Sequence, residues 1–385
     1  MSGLPNKTAS TCMRILQKRM VTQMKQKFYS SEKIRAQDCE YNLILGERSN
    51  GKSFDIKHLC LREAYHDKTG NSKFIYLRRW DLEINSSLVE QYFMDAQITL
   101  MTDGLSTGVS VYNKQIFLAS KDTKGKIERH EHVGYARALS MEEHYTSGIY
   151  TDCVNIIFEE FISRQQYLAK EPQKLAQFVS TIARRNRMKV WLIGNTISRL
   201  CPYFMEWELR NIPRQKQGTI EVYSHKTDQQ NEDGTPVIIR IAVEFAENSG
   251  NNSKMFFGNK NAKMITSGAW QTEAKPHLPD KVNSYHKMYE MVVEWQGFRF
   301  YAQFMYHLES GAALWYVEPK TTQNKPNTRL ITDKVLIDPL ATRGLYPLSP
   351  KESKAFSYLQ RGIVFYSDNL TGGDFEVCLR QLLTV

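Results

Sequence analysis

Short apolar runs recur along the first two hundred positions, each followed by a longer stretch of helix-compatible spacing. The first run, Tyr41-Asn42-Leu43-Ile44-Leu45, predicts a buried strand. It passes directly into GERSNGKS and then into SFDIKHLCLREAYH, which reads as a helix. A second run, Phe74 to Leu77, ends in Arg78-Arg79. Alternation over Gly108–Tyr112 and Gln115–Ala119 predicts a β-hairpin, followed by a basic, glycine-containing tip, SKDTKGKIER. Val154–Phe158 predicts the next strand and ends in Glu159-Glu160-Phe161. A helix is expected over Pro172–Ile182 and a strand over Val190–Ile193, ending in Gly194-Asn195-Thr196. Upstream, residues 1–40 are polar and basic, with an amphipathic helix expected around Cys12–Phe28. Strands that alternate with helices in this way imply an α/β domain with a mostly parallel sheet.

The texture changes after Pro202. Thr219–Tyr223 and Val237–Phe245 are strand-like and flank a polar stretch, HKTDQQNEDGTP, that reads as a loop. ENSGNNSKMFFGNKNAK, rich in Asn, Gly, Ser and Lys, reads as a linker or mobile loop. From about residue 283 the alternation becomes that of a β-meander, YEMVVEW, FRFYAQFMY and AALWYVEP, with turns at Gln296-Gly297 and Glu309-Ser310-Gly311. Helices are expected near 351–360 and 374–383. The pattern therefore divides into an α/β domain over 1–207, a lid or linker with a β-hairpin over 208–282, and an α+β domain over 283–385. No internal repeat is present.

Composition adds three constraints. The chain has 385 residues and a hydrophobic fraction of 41%, enough for a real core. Its 51 Lys+Arg against 41 Asp+Glu give a net charge of +10. Residues 283–385 carry 11 basic and 10 acidic residues, so nearly all of the excess lies before them. A positive field of this kind favours polyanion partners, DNA or RNA above all. Six cysteines, at 12, 39, 60, 153, 201 and 378, form no CxxC pair and no zinc-spaced cluster. No apolar run approaches the roughly 20 residues of a membrane span, and no secretory signal is expected at MSGLPNKTAS.

The sharpest motif is Gly46-Glu47-Arg48-Ser49-Asn50-Gly51-Lys52-Ser53, which matches GxxxxGK[ST] between a predicted strand and a predicted helix. In that setting loop and helix N–H groups converge on phosphates. The expected ATP contacts are the whole loop with Phe54. Lys52 would reach the β- and γ-phosphates, and the Ser53 hydroxyl would ligate Mg²⁺. NIIFEEF supplies a second half about 100 residues on, a hydrophobic strand that ends in acid. Glu159 would hold the Mg²⁺ shell and Glu160 would orient the attacking water. Adjacent acids suggest hydrolysis rather than binding alone.

Other features leave two readings open. An arginine of Arg184-Arg185-Asn186-Arg187 could reach a neighbouring subunit's γ-phosphate, or the run could be a solvated basic turn. Asn195 and Thr196 could sense the γ-phosphate or simply cap a strand. Arg48 could bond phosphate or point outward. Lys114, Lys121, Lys124, Lys126 and Arg129 could touch DNA phosphates from a pore loop, or be solvated. Arg78 and Arg79 could bind phosphate, brace the acid pair or form structural ion pairs.

In order along the chain, NLILGERSNGKS, KFIYLRRW, NIIFEEF, ARRNRMKVWLIGNT and CPYF resemble the DNA-packaging ATPases, or encapsidation proteins, of phi29-like tailed phages. These are small relatives of the terminase large subunits. The resemblance covers residues 41–204; the C-terminal third matches in texture only. It implies an ASCE-type P-loop ATPase domain. Lys52 and Ser53 then sit at the phosphates and Mg²⁺, Glu159 and Glu160 form the Walker B pair, and Arg185 is the trans-acting arginine finger. Glu-Glu here replaces the family's usual Asp-Glu, and a lysine that relatives carry before the acid pair falls on Thr146. The C-terminal domain is implied to be RNase H-like without nuclease activity, since Glu294, Glu318 and Asp338 form no convincing metal triad. The implied assembly is a homomeric ring, a pentamer, docked on the portal of a procapsid and gripping double-stranded DNA. Whether a packaging RNA takes part stays open. The implied location is the host cytoplasm, transiently at the portal vertex and not in the mature virion. A different ring-forming DNA translocase or helicase-like ATPase would carry the same local chemistry.

Overall fold

The structure, a computed structural model, describes residues 28–382 apart from 123, 146–149, 164–166, 184–186, 196–198, 232, 248–273, 296–297, 321, 323, 325–326 and 335. The helix expected around Cys12–Phe28 lies almost wholly outside the described residues. So does the Asn-rich stretch after Asn248.

The apolar runs form the centre of a nine-stranded sheet. Its strands are β1 (Tyr41–Gly46), β2 (Lys73–Arg78), β3 (Gly108–Tyr112), β4 (Gln115–Lys121), β5 (Ile127–Ala138), β6 (Cys153–Glu159), β7 (Lys189–Asn195), β8 (Thr219–Gln230) and β9 (Pro236–Phe245), in spatial order β3-β4-β5-β2-β6-β7-β1-β9-β8. The six strands from β5 to β9 are parallel; β3, β4 and β8 add antiparallel edges. Central strands buried on both faces need continuous apolar runs, which is why these segments do not alternate. Successive side chains leave on opposite faces. Leu43, Leu45, Ile156, Phe158 and Leu192 enter one core layer, while Ile44, Ile157, Trp191 and Ile193 enter the other.

Helices cover both faces. α1 (Glu32–Arg35), α2 (Lys52–His66), α3 (Ser86–Phe93) and α4 (Ile98–Met101) pack on one side, and α5 (Glu171–Ile182) and α6 (Pro202–Glu206) on the other. A buried polar link fixes α2 over the sheet. Asn155 of β6 donates to Glu63 of α2 at 2.8 Å and accepts from the Trp191 indole of β7 at 3.0 Å. Among the described residues, Cys39, Cys60, Cys153, Cys201 and Cys378 are buried free thiols. Among the described residues no helix is long and apolar enough to cross a membrane.

Three expectations change. The boundary at residue 207 does not hold for the sheet. β9 pairs in parallel with β1 from Tyr41 to Leu45 and brings β8 with it, so residues 219–245 belong to the first sheet and not to a linker. The polar stretch after Tyr223 is also mostly strand, followed by a turn at Asp233-Gly234. Its ladder is held by backbone bonds to β9, which polar side chains do not prevent. The expected basic tip is likewise shorter, because Ile127–Arg129 already lie on β5.

The second sheet contains β10 (Tyr285–Trp295), β11 (Phe298–His307), β12 (Ala313–Pro319), β13 (Arg329–Thr332), β14 (Ala341–Thr342) and β15 (Val364–Tyr366), in order β14-β13-β10-β11-β12-β15. β10 to β12 form the expected antiparallel meander, while β13 joins β10 in parallel. α7 (Pro350–Gln360) and α8 (Asn369–Leu382) cover it. The chain that leaves β7 returns to this second core: Leu200 is buried in it, and Arg199 pairs with buried Asp374 of α8 at 2.6 Å.

Candidate phosphate-binding site

β1 ends at Gly46, and the next five residues turn the chain into α2. Ser49 and Gly51 take left-handed backbone angles, φ +62° and +97°, which at Gly51 favours a residue without Cβ. Gly51 is the N-cap of α2, and its own side chain offers no cap. The first-turn N–H groups, at the positive end of the helix dipole, therefore border a cavity of about 770 Å³.

Lys52 lies across this loop and is 4% exposed. Its Nζ donates to the carbonyl of Glu47 at 2.5 Å and to Asn50 Oδ1 at 3.2 Å. Both acceptors are neutral oxygens that phosphate oxygens could replace. Burial pulls the ammonium down to about 8, against the opposing charges of Glu159 and Glu47. A buried cation that has lost its hydration without gaining a carboxylate contact is suited to an incoming anion.

The acid pair stands across the cavity at the end of β6. β7 lies between β1 and β6, and the register sets Gly46 beside Asn195 and Glu159 beside Ile193. All three strand ends thus open on one cavity, at the C-terminal edge of the parallel sheet. Glu159 is buried, and Ser53 lines the same cavity. Tyr92 of α3 donates to its Oε1 at 2.6 Å. Burial raises the Glu159 carboxyl above its ordinary value, and the bond from Tyr92 and the neighbouring Ser53 hydroxyl oppose that rise. Tyr92 is itself clamped. Its ring stacks on Tyr76 at 4.5 Å, and Lys57 donates to its carbonyl at 2.5 Å while pairing with Asp95.

Glu160 is built differently. It has φ +56°, a conformation glutamate rarely adopts, and its side chain is 59% exposed. Arg78 of β2 holds its carboxylate at 2.9 Å and pairs with Glu83 at 2.5 Å. Arg79 is buried and braces the backbone from behind. It grips Glu171 through two nitrogens at 2.7 and 2.9 Å, and donates to the carbonyls of Glu160 at 3.3 Å and Phe161 at 2.8 Å. Tyr203 also donates to Glu171, at 2.9 Å. Both arginines are therefore braces of the acid turn. Gly194 allows this turn to approach β7, since a Cβ there would lie 2.7 Å from the Phe161 ring.

Of the expected site residues, Arg48, Ser49, Asn50, Gly51, Lys52, Ser53, Phe54, Glu159, Glu160 and Asn195 share the cavity. Gly46 and Glu47 shape the loop without lining it. Arg185, with Arg184 and Asn186, lies outside the described residues, as do Thr146 and Thr196. Arg187 is tied to Asp38 at 2.8 Å and Glu40 at 3.2 Å, a structural role. Lys121, Lys124 and Lys126 are exposed around the β4–β5 turn, where Asp122 accepts from the Lys124 and Lys126 backbone N–H groups. Arg129 bonds Ser110 at 3.1 Å and covers the Tyr112 ring, and Lys114 pairs with Asp81 at 2.6 Å. β5 pairs with β2 only from Gly134 onward, so this turn stands roughly 20 Å beyond the N-terminal edge of β2. It is at the opposite end of the sheet from the cavity.

The sequence reading missed Phe28, Lys57, Asp95 and Gln97, which complete the cavity wall, and Tyr92 behind it. In the second domain Glu294 pairs with Lys334 at 2.6 Å and Arg299 at 3.3 Å, Glu318 accepts from Gln303 at 3.3 Å, and Asp338 accepts from the Leu340 N–H at 2.9 Å. Among the described residues no three His, Cys, Asp or Glu side chains converge as a metal site.

The glycine-containing loop after β1, the acid pair and the strand-end Asn195 thus meet in one cavity at the C-terminal edge of the parallel sheet of a mixed α/β fold. The chain belongs to the podovirus DNA encapsidation protein (Gp16) family, whose model matches residues 23–225. The DNA packaging proteins of Bacillus phages phi29 and PZA are each 28% identical over 186 residues. That alignment takes in 47% of this chain and about half, 50%, of the length of those curated relatives. The bacteriophage phi29 viral genome packaging motor assembly shares the fold at a TM-score of 0.53 and 19% identity, over 92% of this chain and 99% of that one.

Proposed function

We propose that this chain is the ATP-hydrolysing subunit of a motor that moves double-stranded phage DNA into a procapsid. The observation that carries the proposal is the one cavity shared by Lys52, Ser53, Glu159 and Glu160, in a chain of the encapsidation family. That cavity brings the loop's hydroxyl residue and the strand-end acid to one place, the arrangement a Mg²⁺–ATP site requires.

In this reading the loop N–H groups and Lys52 bind the phosphates, exchanging the Glu47 carbonyl and Asn50 Oδ1 for phosphate oxygens. Ser53 and Glu159 would hold Mg²⁺, which when bound neutralises charge between the β- and γ-phosphates. Tyr92 keeps the Glu159 carboxylate oriented and ionised. Glu160, held by Arg78 and by the backbone brace from Arg79, accepts a proton from water beside the γ-phosphate. Asn195 orients that water or the γ-phosphate from the end of β7.

Arg185 is proposed to act on the neighbouring subunit's site. The residues that bracket it, Ile182 at the end of α5 and Lys189 at the start of β7, lie one strand length, roughly 20 Å, from this subunit's own cavity. That supports a homomeric ring, pentameric by analogy with the family, docked on a portal. A packaging RNA as a further partner, the host cytoplasm, and transient residence at the portal vertex belong to the same reading. Lys121, Lys124 and Lys126 are the proposed DNA contacts, through phosphates and therefore without sequence preference. The β10–β12 meander continued by parallel β13 and β14 supports an RNase H-like second domain. Its scattered, ion-paired acids support a structural rather than a nuclease role.

The test is subunit mixing. Lys52→Ala keeps the arginine and loses the site; Arg185→Ala does the reverse. Each alone should turn over little ATP in the presence of DNA, and a mixture should recover a measurable fraction. Since such an arginine can be worth about 10³–10⁵ in rate, recovery is easily read. An Arg185→Ala protein with full turnover would reject the trans assignment, and a Lys52→Ala protein with full turnover would reject the site.

A further inference from the structure

The second domain holds a buried cation without a counter-ion. Arg329, the first residue of β13, is 3% exposed. Its Nη2 donates to Thr342 Oγ1 at 2.7 Å and to the Tyr346 carbonyl at 3.3 Å, and the guanidinium lies 5.6 Å from the Tyr346 ring. Its Nε and Nη1 have no hydrogen-bond partner, and among the described residues no carboxylate pairs with it. A guanidinium cannot shed its proton to escape burial, as a lysine can. An uncompensated buried charge costs several kcal/mol, so a charge partner is physically required.

Arg329 lines a cavity of about 290 Å³ with Lys287, Tyr289, Asn327 and Glu352. The acids there are already engaged. Glu352 accepts from the Tyr289 hydroxyl at 2.9 Å and from the Leu348 N–H at 2.6 Å. Glu290 is bonded to Lys287 and Tyr301. Because Nη2 is occupied, neither parallel N–H pair of the guanidinium is free as a unit. That disfavours a planar carboxylate docked through two bonds. It suits a tetrahedral oxyanion held by single donors from Nη1 or Nε, with Asn327 and Lys287 beside it. The volume admits an anion of phosphate size, being several times that of one water.

We infer that this cavity is a second phosphate-binding site, separate from the loop that follows β1. The phosphate could be free inorganic phosphate or a nucleic-acid backbone group; the recognition chemistry is the same. The test uses crystals of the full chain grown with ADP and Mg²⁺, so that the first site is filled, and soaked with tungstate. An anomalous peak within hydrogen-bond distance of Arg329 is expected, and none in Arg329→Gln. In solution, inorganic phosphate should raise the thermal unfolding midpoint of the ADP-bound wild type over chloride at equal ionic strength. Arg329→Gln should bind phosphate at least about tenfold more weakly. Competition separates the sources. A short DNA duplex that displaces tungstate identifies backbone phosphate, and one that does not identifies the free ion. Either result upholds the site. A wild-type crystal with Glu352 turned onto Arg329 and no peak would overturn it, whatever the variant's stability.

Discussion

Tyr92→Phe removes one oxygen and should alter the Mg²⁺ dependence of the proposed ATP turnover more than the fold. The ring stays packed on Tyr76, and Lys57 still bonds the residue 92 carbonyl. What is lost is the 2.6 Å bond to Glu159 Oε1. A hydrogen bond to a buried charged group contributes about 1.5–3 kcal/mol. Its loss moves the carboxyl further in the upward direction that burial already drives. The sign is fixed. With its folded value raised further, Glu159 stays protonated to higher pH, and the protonated form is a poor Mg²⁺ ligand. The Mg²⁺ concentration for half-maximal ATP turnover should rise about 10- to 100-fold. The deficit should be larger at pH 6 than at pH 8, and saturating Mg²⁺ should restore most of the rate. The assay is DNA-stimulated ATP turnover titrated with Mg²⁺ at both pH values. An unchanged Mg²⁺ dependence, or a loss equal at all Mg²⁺ concentrations and both pH values, would refute the reasoning.

Four further outcomes follow from the same geometry. Lys52 titrates near 8 in the free protein and regains its proton when phosphate arrives. ATP binding should therefore take up a proton above pH 8 and weaken by up to about tenfold per pH unit; calorimetry in two buffers of different ionisation enthalpy reads this, and Lys52→Arg should abolish the uptake. The same shift makes the nucleotide-free fold gain stability as pH rises from about 8 toward the ordinary lysine value, because there the unfolded chain holds the extra proton. Arg79→Met leaves buried Glu171 unpaired and should cost about 3–5 kcal/mol in denaturant unfolding, with Arg79→Met/Glu171→Leu recovering much of it. Gly194→Ala drives a methyl into Phe161, next to Glu160, and should lower kcat with little change in KM for ATP.

Much of this was legible in the sequence because it is local. The strand before GERSNGKS, the helix after it and the strand ending in Glu159-Glu160 each announce themselves by pattern and spacing. The cavity they share follows once β7 is placed between β1 and β6. Tyr92 and Asp95 were not legible, since their segment carries no motif and reaches Glu159 and Lys57 only through tertiary packing. Arg78 and Arg79 showed that they were of interest but not how they act, because their partners Glu160 and Glu171 lie more than 80 residues away. The β8–β9 hairpin was misplaced for a related reason. Polar positions 224–230 look like a loop to any rule based on hydrophobicity, yet the ladder to β9 holds them as strand. The bare Arg329 gives no sequence signal at all, since its oddity is the absence of a partner.

In the proposed function, ATP hydrolysis at this cavity moves DNA into a shell. Protection of genomic double-stranded DNA from nuclease, with purified protein, ATP and empty procapsids, measures that directly. The wild type should protect the DNA in an ATP-dependent and salt-sensitive manner, and Glu160→Gln and Arg185→Ala should not. Protection by Glu160→Gln equal to that of the wild type, or none by the wild type while it turns over ATP with DNA and procapsids present, would contradict the account.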